Sequence, residues 1–152
     1  MTTDRIGPFR VQLRIDGEPK GQPRVRAFSR GGRARMYDPG TAEGWKGAIA
    51  LAFKDKIPEV PLSGPVRVVL HHYMPRPKSH YGTGKNKDSL KLNAPRAHTS
   101  KPDIDNLLKA AFDALSMIGL WRDDDQVCET LAFKEYGDRP GASILIEEIV
   151  ES

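Results

Sequence analysis

Two short acidic segments carry the residues of this sequence best suited to chemistry: Asp103-Ile104-Asp105-Asn106 and Asp123-Asp124-Asp125. Oxygen ligands from two segments, with no His or Cys within either, suit a hard cation such as Mg²⁺, for which Mn²⁺ can substitute. Such ions keep several waters and bind through a few carboxylates together with substrate phosphate. Lys109 follows Asp105 by four residues and Asp113 follows Lys109 by four, so a helix would place all three on one side. Taken singly, these features have ordinary explanations: an N-cap, an i,i+4 ion pair and a solvated turn. Their concurrence, with an amine inside an acid site, points to a metal centre acting on phosphate. Three adjacent carboxylates repel one another, so the triplet must be well solvated or sit beside a cation.

The element that must position these groups is a helix. Apolar residues at Ile104, Leu107, Leu108, Ala111, Phe112, Leu115 and Ile118 form a 3.6-residue stripe. Pro102 and Gly119 supply start and stop signals, and Asp103 is placed to accept from the first free backbone N–H groups. Past Gly119, Trp121-Arg122 leads into the acidic triplet, and Gln126-Val127 opens a strand running back beside the helix. That return can bring one acid of the triplet towards Asp103 and Asp105. A calcium loop is excluded, because Leu108 stands where the turn glycine belongs and Ala114 where the bidentate Glu belongs. An Asp-x-Asp phosphotransferase elbow would follow a hydrophobic strand, and Ala97-His98-Thr99-Ser100-Lys101 is not one.

The 152 residues suit one domain, and 38% apolar with 29% charged residues suit a soluble globular chain. No apolar run approaches the roughly 20 residues of a membrane span, and the N-terminus lacks a signal-peptide core. The lone Cys128 cannot form an internal disulfide, which fits a cytoplasmic setting, and is expected to pack in its strand. Charge is lopsided: residues 1–101 hold 20 Lys/Arg against 8 Asp/Glu, and residues 102–152 hold 4 against 12. A basic body with a local acid cluster suits a polyanion that must be cut through a cation.

Residues 9–15 alternate as a half-buried strand. Residues 20–37 read as a Gly- and Arg-rich loop, with Lys20, Arg24, Arg26, Arg30, Arg33 and Arg35 as candidate phosphate contacts and Phe28 and Tyr37 interleaved. Asp38-Pro39 opens a helix reaching about Lys56, with Trp45, Ile49, Ala52 and Phe53 on its apolar face. Residues 66–73 form a strand on which His71 and His72 point to opposite faces and cannot chelate together. Residues 74–101 read as a long flexible basic loop, a DNA-contacting flap that includes Lys78 and Lys101, with Tyr73 and Tyr81 as stacking candidates. Strands at 127–136 and 142–150 follow, joined as a hairpin through 137–141. The order β-α-β-α-β-β gives an α+β single domain, a small mixed β-sheet with two packed helices, spanning residues 1–152.

Lys101-Pro102-Asp103-Ile104-Asp105-Asn106-Leu107-Leu108-Lys109, then Asp113-Ala114-Leu115, then Trp121-Arg122-Asp123-Asp124-Asp125-Gln126-Val127, resembles the signature of the RusA-type Holliday-junction resolvases. The Gly21-Gln22-Pro23-Arg24 segment is similar to a looser N-terminal motif of that family. The resemblance implies catalytic Asp103, Asp105, Lys109 and Asp124, with the three acids holding metal. It implies a Mg²⁺-dependent endonuclease of phage type that nicks four-way junctions in pairs and leaves 5′-phosphates. It also implies a homodimer, no organic cofactor, a role in recombination and repair, and a place in the cytoplasm of a bacterial or phage-infected cell. A branched-DNA-binding protein without cleavage, or a metal-dependent phosphotransferase, are the other classes that fit the residues.

Overall fold

The computed structural model describes residues 6–22, 26–30, 33–37 and 40–151, and the side chains of residues 26–41 lie outside that description. The described elements are β1 (Ile6–Asp16), β2 (Arg26–Arg30), β3 (Arg33–Tyr37), α1 (Gly40–Phe53), β4 (Val66–Met74), α2 (Ile104–Met117), β5 (Val127–Tyr136) and β6 (Gly141–Ile149). The chain is a single small α+β domain, a four-stranded mixed sheet with two helices, as the sequence predicts.

Sheet order is β1-β6-β4-β5, antiparallel between β1 and β6 and between β6 and β4, and parallel between β4 and β5. The expected hairpin between the last two strands is therefore a crossover, because β4 lies between them. Turn residues at 137–141 signalled a tight connection, but the strand that fills the gap comes from far earlier in the chain. Residues 26–37 also depart from the predicted loop: β2 and β3 pair antiparallel, Arg26 opposite Tyr37 and Arg30 opposite Arg33. Alternation on both sides of Gly31-Gly32 is a hairpin signature that the arginine count obscured. Arg24 and the side chains of Arg26, Arg30, Arg33 and Arg35 lie outside the described residues, as does the Asp38-Pro39 helix start.

The two-residue period of β4 explains the core. Val66, Val68, Leu70, His72 and Met74 are buried, and the residues between them face the opposite side of the sheet. Trp45, Ile49 and Phe53 of α1 and Ala110, Ala111 and Leu115 of α2 pack with them, together with Ile144 and Ile146 of β6. Ile104 was expected in the stripe but is 39% exposed, since it begins the helix above the edge of the core. Cys128 is exposed on β5 instead of packed. On the opposite face, Glu147 bridges Arg10 and Arg67, and His71 pairs with Glu135 at 2.9 Å.

His72 and His71 thus face opposite sides, as the strand period requires. His72 is fully buried, its Nδ1–H donates to the Phe133 carbonyl (3.2 Å), and its Nε2 is buried without a partner among the described residues. Burial foremost, with the positive charges of His71 and Lys134, lowers its pKa to about 4, against the raising effect of the Phe133 bond. The imidazole is neutral in the fold, while the unfolded chain takes up a proton near pH 6.5. Stability is therefore expected to fall as pH drops from about 6.5 to about 4, by roughly 3 kcal/mol in all. Urea unfolding across that window should show the loss, and His72→Leu should flatten it.

Candidate metal and nucleic-acid site

α2 begins where the sequence places it. Asp103 holds the N-cap position in extended conformation, and its carbonyl accepts from the amides of Asn106 (3.1 Å) and Leu107 (3.2 Å). Its carboxylate makes no capping bond, contrary to the expected cap. That side chain stays half exposed, with Lys101 Nζ 3.9 Å away. A carboxylate released from capping is free to hold something else. The positive end of the helix dipole favours negative charge at both Asp103 and Asp105.

Two tertiary contacts fix this helix start. Lys134 of β5 donates from Nζ to the carbonyls of Ser100 (2.6 Å) and Pro102 (2.8 Å), which flank the cis Lys101–Pro102 peptide. Burial pulls the Lys134 pKa down while the Asp103 charge pulls it up. On the other side, Gln22 N donates to Asn106 O at 2.8 Å. A Cβ on Gly21 would stand 3.0 Å from both Asn106 Cβ and Pro102 Cβ, so glycine lets the two segments meet. The result is a cleft of about 340 Å³ whose lining includes Lys20, Gln22, Lys101, Pro102, Asp103 and Asn106. Of the predicted DNA contacts, Lys20 and Lys101 thus join Asp103, whereas Lys78 lies in a separate concavity of the 74–101 arm.

Lys109 is exposed on α2 and forms no ion pair among the described residues, so the ordinary explanation of its spacing from Asp105, an i,i+4 ion pair, does not hold. Asp113 pairs instead with the buried Lys46 of α1 (3.4 Å), tying the two helices together.

The acidic triplet is held by Gln126. Its Oε1 accepts from the amides of Arg122 and Asp123 (both 2.8 Å), and its Nε2 donates to the carbonyls of Leu62 (2.8 Å) and Gly64 (2.9 Å). Asp123 Oδ1 accepts from Asp125 N at 3.1 Å, completing a capping box around the short 3₁₀ turn at 124–126. Sequence reasoning left Gln126 without a role, although Asp123-x-x-Gln126 is a capping-box spacing. Lys134 carried no local signal, since its partners lie 32 and 34 residues away. Exchanging Gln126 for Glu would aim an acceptor at two carbonyls, and Gln126→Glu is expected to cost about 2–4 kcal/mol in thermal unfolding.

Asp124 has its pKa raised, first by a hydrogen bond with the Asp123 carboxyl, then by partial burial, then by the charges of Asp123, Asp113 and Asp125. Neither Asp103 nor Asp105 contributes to that shift. Asp113 lies eight residues beyond Asp105, about 12 Å along the helix. Among the described residues no group of three or more His, Cys, Asp or Glu side chains could hold a metal ion. One chain thus holds two acid stations, the Asp103/Asp105 helix start and the Asp123–Asp125 turn. The donors fit a hard cation at the first, where Asp103 is uncapped and the buried Gln22 Oε1 in the same cleft has no partner among the described residues.

A family model described as endodeoxyribonuclease RusA matches residues 16–147. The chain is 33% identical over 139 residues to the uncharacterized protein YqaN of Bacillus subtilis (strain 168), covering 91% of this chain and 96% of that protein. It is 26% identical to the crossover junction endodeoxyribonuclease RusA of Escherichia coli (strain K12), covering 70% and 71%. It is 25% identical to the crossover junction endodeoxyribonuclease of Enterobacteria phage 82, over the same shares. No helix among the described residues is long and apolar enough to cross a membrane.

Proposed function

Because this chain belongs to the RusA endodeoxyribonuclease family, we propose that it is a Mg²⁺-dependent endonuclease that resolves four-way DNA junctions by paired nicks. The observation that carries the reading is the uncapped Asp103 carboxylate, set in a cleft with two lysines at a helix start. Asp103 and Asp105 would hold the ion, with Asp124 as the third acid. When bound, the ion would neutralise charge on the scissile phosphate and acidify a water. Lys20 and Lys101 would seat the phosphodiester by its oxygens, and Lys109, exposed and without an ion pair among the described residues, would offer its ammonium to developing charge on phosphate or leaving oxygen. Mn²⁺ would substitute, no organic cofactor is needed, and the products would carry 5′-phosphates.

The chain would act as a homodimer. A second copy can supply Asp124 to the first copy's Asp103 and Asp105, and a two-fold axis would give two equal sites matching the symmetry of a junction. Recombination and repair in the cytoplasm of a bacterial or phage-infected cell is the setting such an activity serves.

The test is incubation of the purified protein with a four-way junction and a linear duplex of the same sequence, with Mg²⁺ or EDTA. Symmetrical nicks in opposed strands of the junction alone, only with Mg²⁺, are expected. Equal cutting of the duplex, or no nicks at all, would overturn the proposal. That no three such acids gather among the described residues favours one second reading, a branched-DNA binder without cleavage. That reading predicts junction binding with no nicks in either Mg²⁺ or Mn²⁺.

A further inference from the structure

Between β4 and α2, in the segment read from composition as a long basic loop, the chain builds an arm with its own frame. Tyr81 bridges Leu90, Lys91 N donates to His80 O (2.9 Å), and Gly82 N donates to Ser89 O (2.9 Å). A Cβ on Gly82 would stand 2.7 Å from the Asn86 carbonyl oxygen, so a side chain there would force the crossing apart. The arm is also docked: Ala97 bridges Glu135, and the Arg96 guanidinium lies 2.8 Å from the Glu135 carboxylate.

Inside this frame is a cavity of about 700 Å³, lined by Lys78, Tyr81, Thr83, Lys87, Asp88 and Lys91 among others. That volume is within the range of small-ligand sites, roughly 300–1,000 Å³. None of the three lysines forms an ion pair among the described residues, and Asp88 offsets only one of their charges. Three ammonium groups around one concavity repel each other until an anion enters. Tyr81 adds an aromatic face and Thr83 a hydroxyl. Leu92, fully exposed, and Leu90, 45% exposed, flank Lys91 as apolar groups able to lie against bases.

We propose that the arm's cavity binds single-stranded DNA, seating a nucleotide splayed out at a branch, with Lys78, Lys87 and Lys91 on its phosphates and Tyr81 stacked on its base. The cavity takes a nucleotide but not a duplex, so the arm would read strand opening while the cleft at Asp103 does the cutting. This rests on the DNA-processing reading above and adds to it a site remote from the acid pair.

The test is calorimetric titration of the full chain in EDTA with the tetranucleotide pdT4 and, separately, with dTMP. The tetranucleotide should bind more tightly than dTMP. Tyr81→Ala should weaken its binding about tenfold while Tyr81→Phe retains it. Lys87→Ala/Lys91→Ala should flatten the salt dependence of log K by roughly 1.4. Tyr81 is held in the frame through its backbone, bonded to Lys78 O at 3.0 Å, so its side chain can be removed without unmaking the arm. Affinity unchanged in both variants, or dTMP binding as tightly as pdT4, overturns the proposal. A nicking assay run in parallel separates the two readings: junction nicks with variant-insensitive pdT4 affinity sink the pocket alone. Tyr81-dependent pdT4 binding without nicks sinks the resolvase reading and upholds the pocket.

Discussion

Asp105→Asn is expected to reduce junction cleavage by about 10³-fold or more while leaving junction affinity unchanged or slightly improved. A carboxylate that helps hold the cation contributes several kcal/mol to the transition state, and each 1.36 kcal/mol is tenfold in rate. Asparagine keeps the size and the helix start but lacks the charge. Binding moves the other way, because removing a negative charge beside a phosphate lessens repulsion. Asp103→Asn should behave alike, and its fold should be unaffected, since the Asp103 carboxylate makes no capping bond to lose. Single-turnover rates and gel-shift affinities measured on the same preparations would check both. Cleavage by Asp105→Asn at the wild-type rate would show that the acid pair is not the machinery.

Trp121→Ala is expected to lower stability by about 3–5 kcal/mol in urea unfolding. Trp121 is buried, donates from Nε1 to Ser116 Oγ at 2.6 Å and meets Phe112 edge-on with ring centres 6.1 Å apart. Its backbone neighbours are pinned as well, with Leu62 N donating to Leu120 O (3.0 Å) and Arg122 N to Leu62 O (3.2 Å). The truncation removes a large ring from the core and strands a hydroxyl at the end of α2. Because this segment delivers Asp123–Asp125, cleavage should fall by more than the folded fraction accounts for. Ser116→Ala, which removes only the hydrogen bond, should cost about 1 kcal/mol. A Trp121→Ala loss below that of Ser116→Ala would contradict the packing argument.

What was legible in the sequence was local. Periodicity marked α2 from Ile104 and alternation marked β1, because those patterns record burial against a core, and the runs of β4, β5 and β6 stood out as strands. Gly119 ended the helix as expected, at φ +79°. Strand order was not legible: nothing in residues 127–149 announces that β4 must sit between the last two strands. The same limit applies to the site. Asp103, Asp105, Lys109 and the triplet stand out by type and spacing, but the distance between the two acid stations depends on how far Asp124 lies along α2. Lys134 reaching Ser100 and Pro102, and Gly21 pressed on Asn106, are tertiary contacts with no trace in spacing. Gln126 was the exception, since its capping-box spacing was there to be read.

The central claim is that Asp103, Asp105 and Asp124 together hold a divalent cation. Electron paramagnetic resonance of free Mn²⁺, titrated into the protein bound to a four-way junction, tests it most directly. Bound Mn²⁺ in the wild type that is lost in the Asp103→Asn/Asp105→Asn/Asp124→Asn variant is the expected result. Equal Mn²⁺ uptake by the two proteins would contradict it.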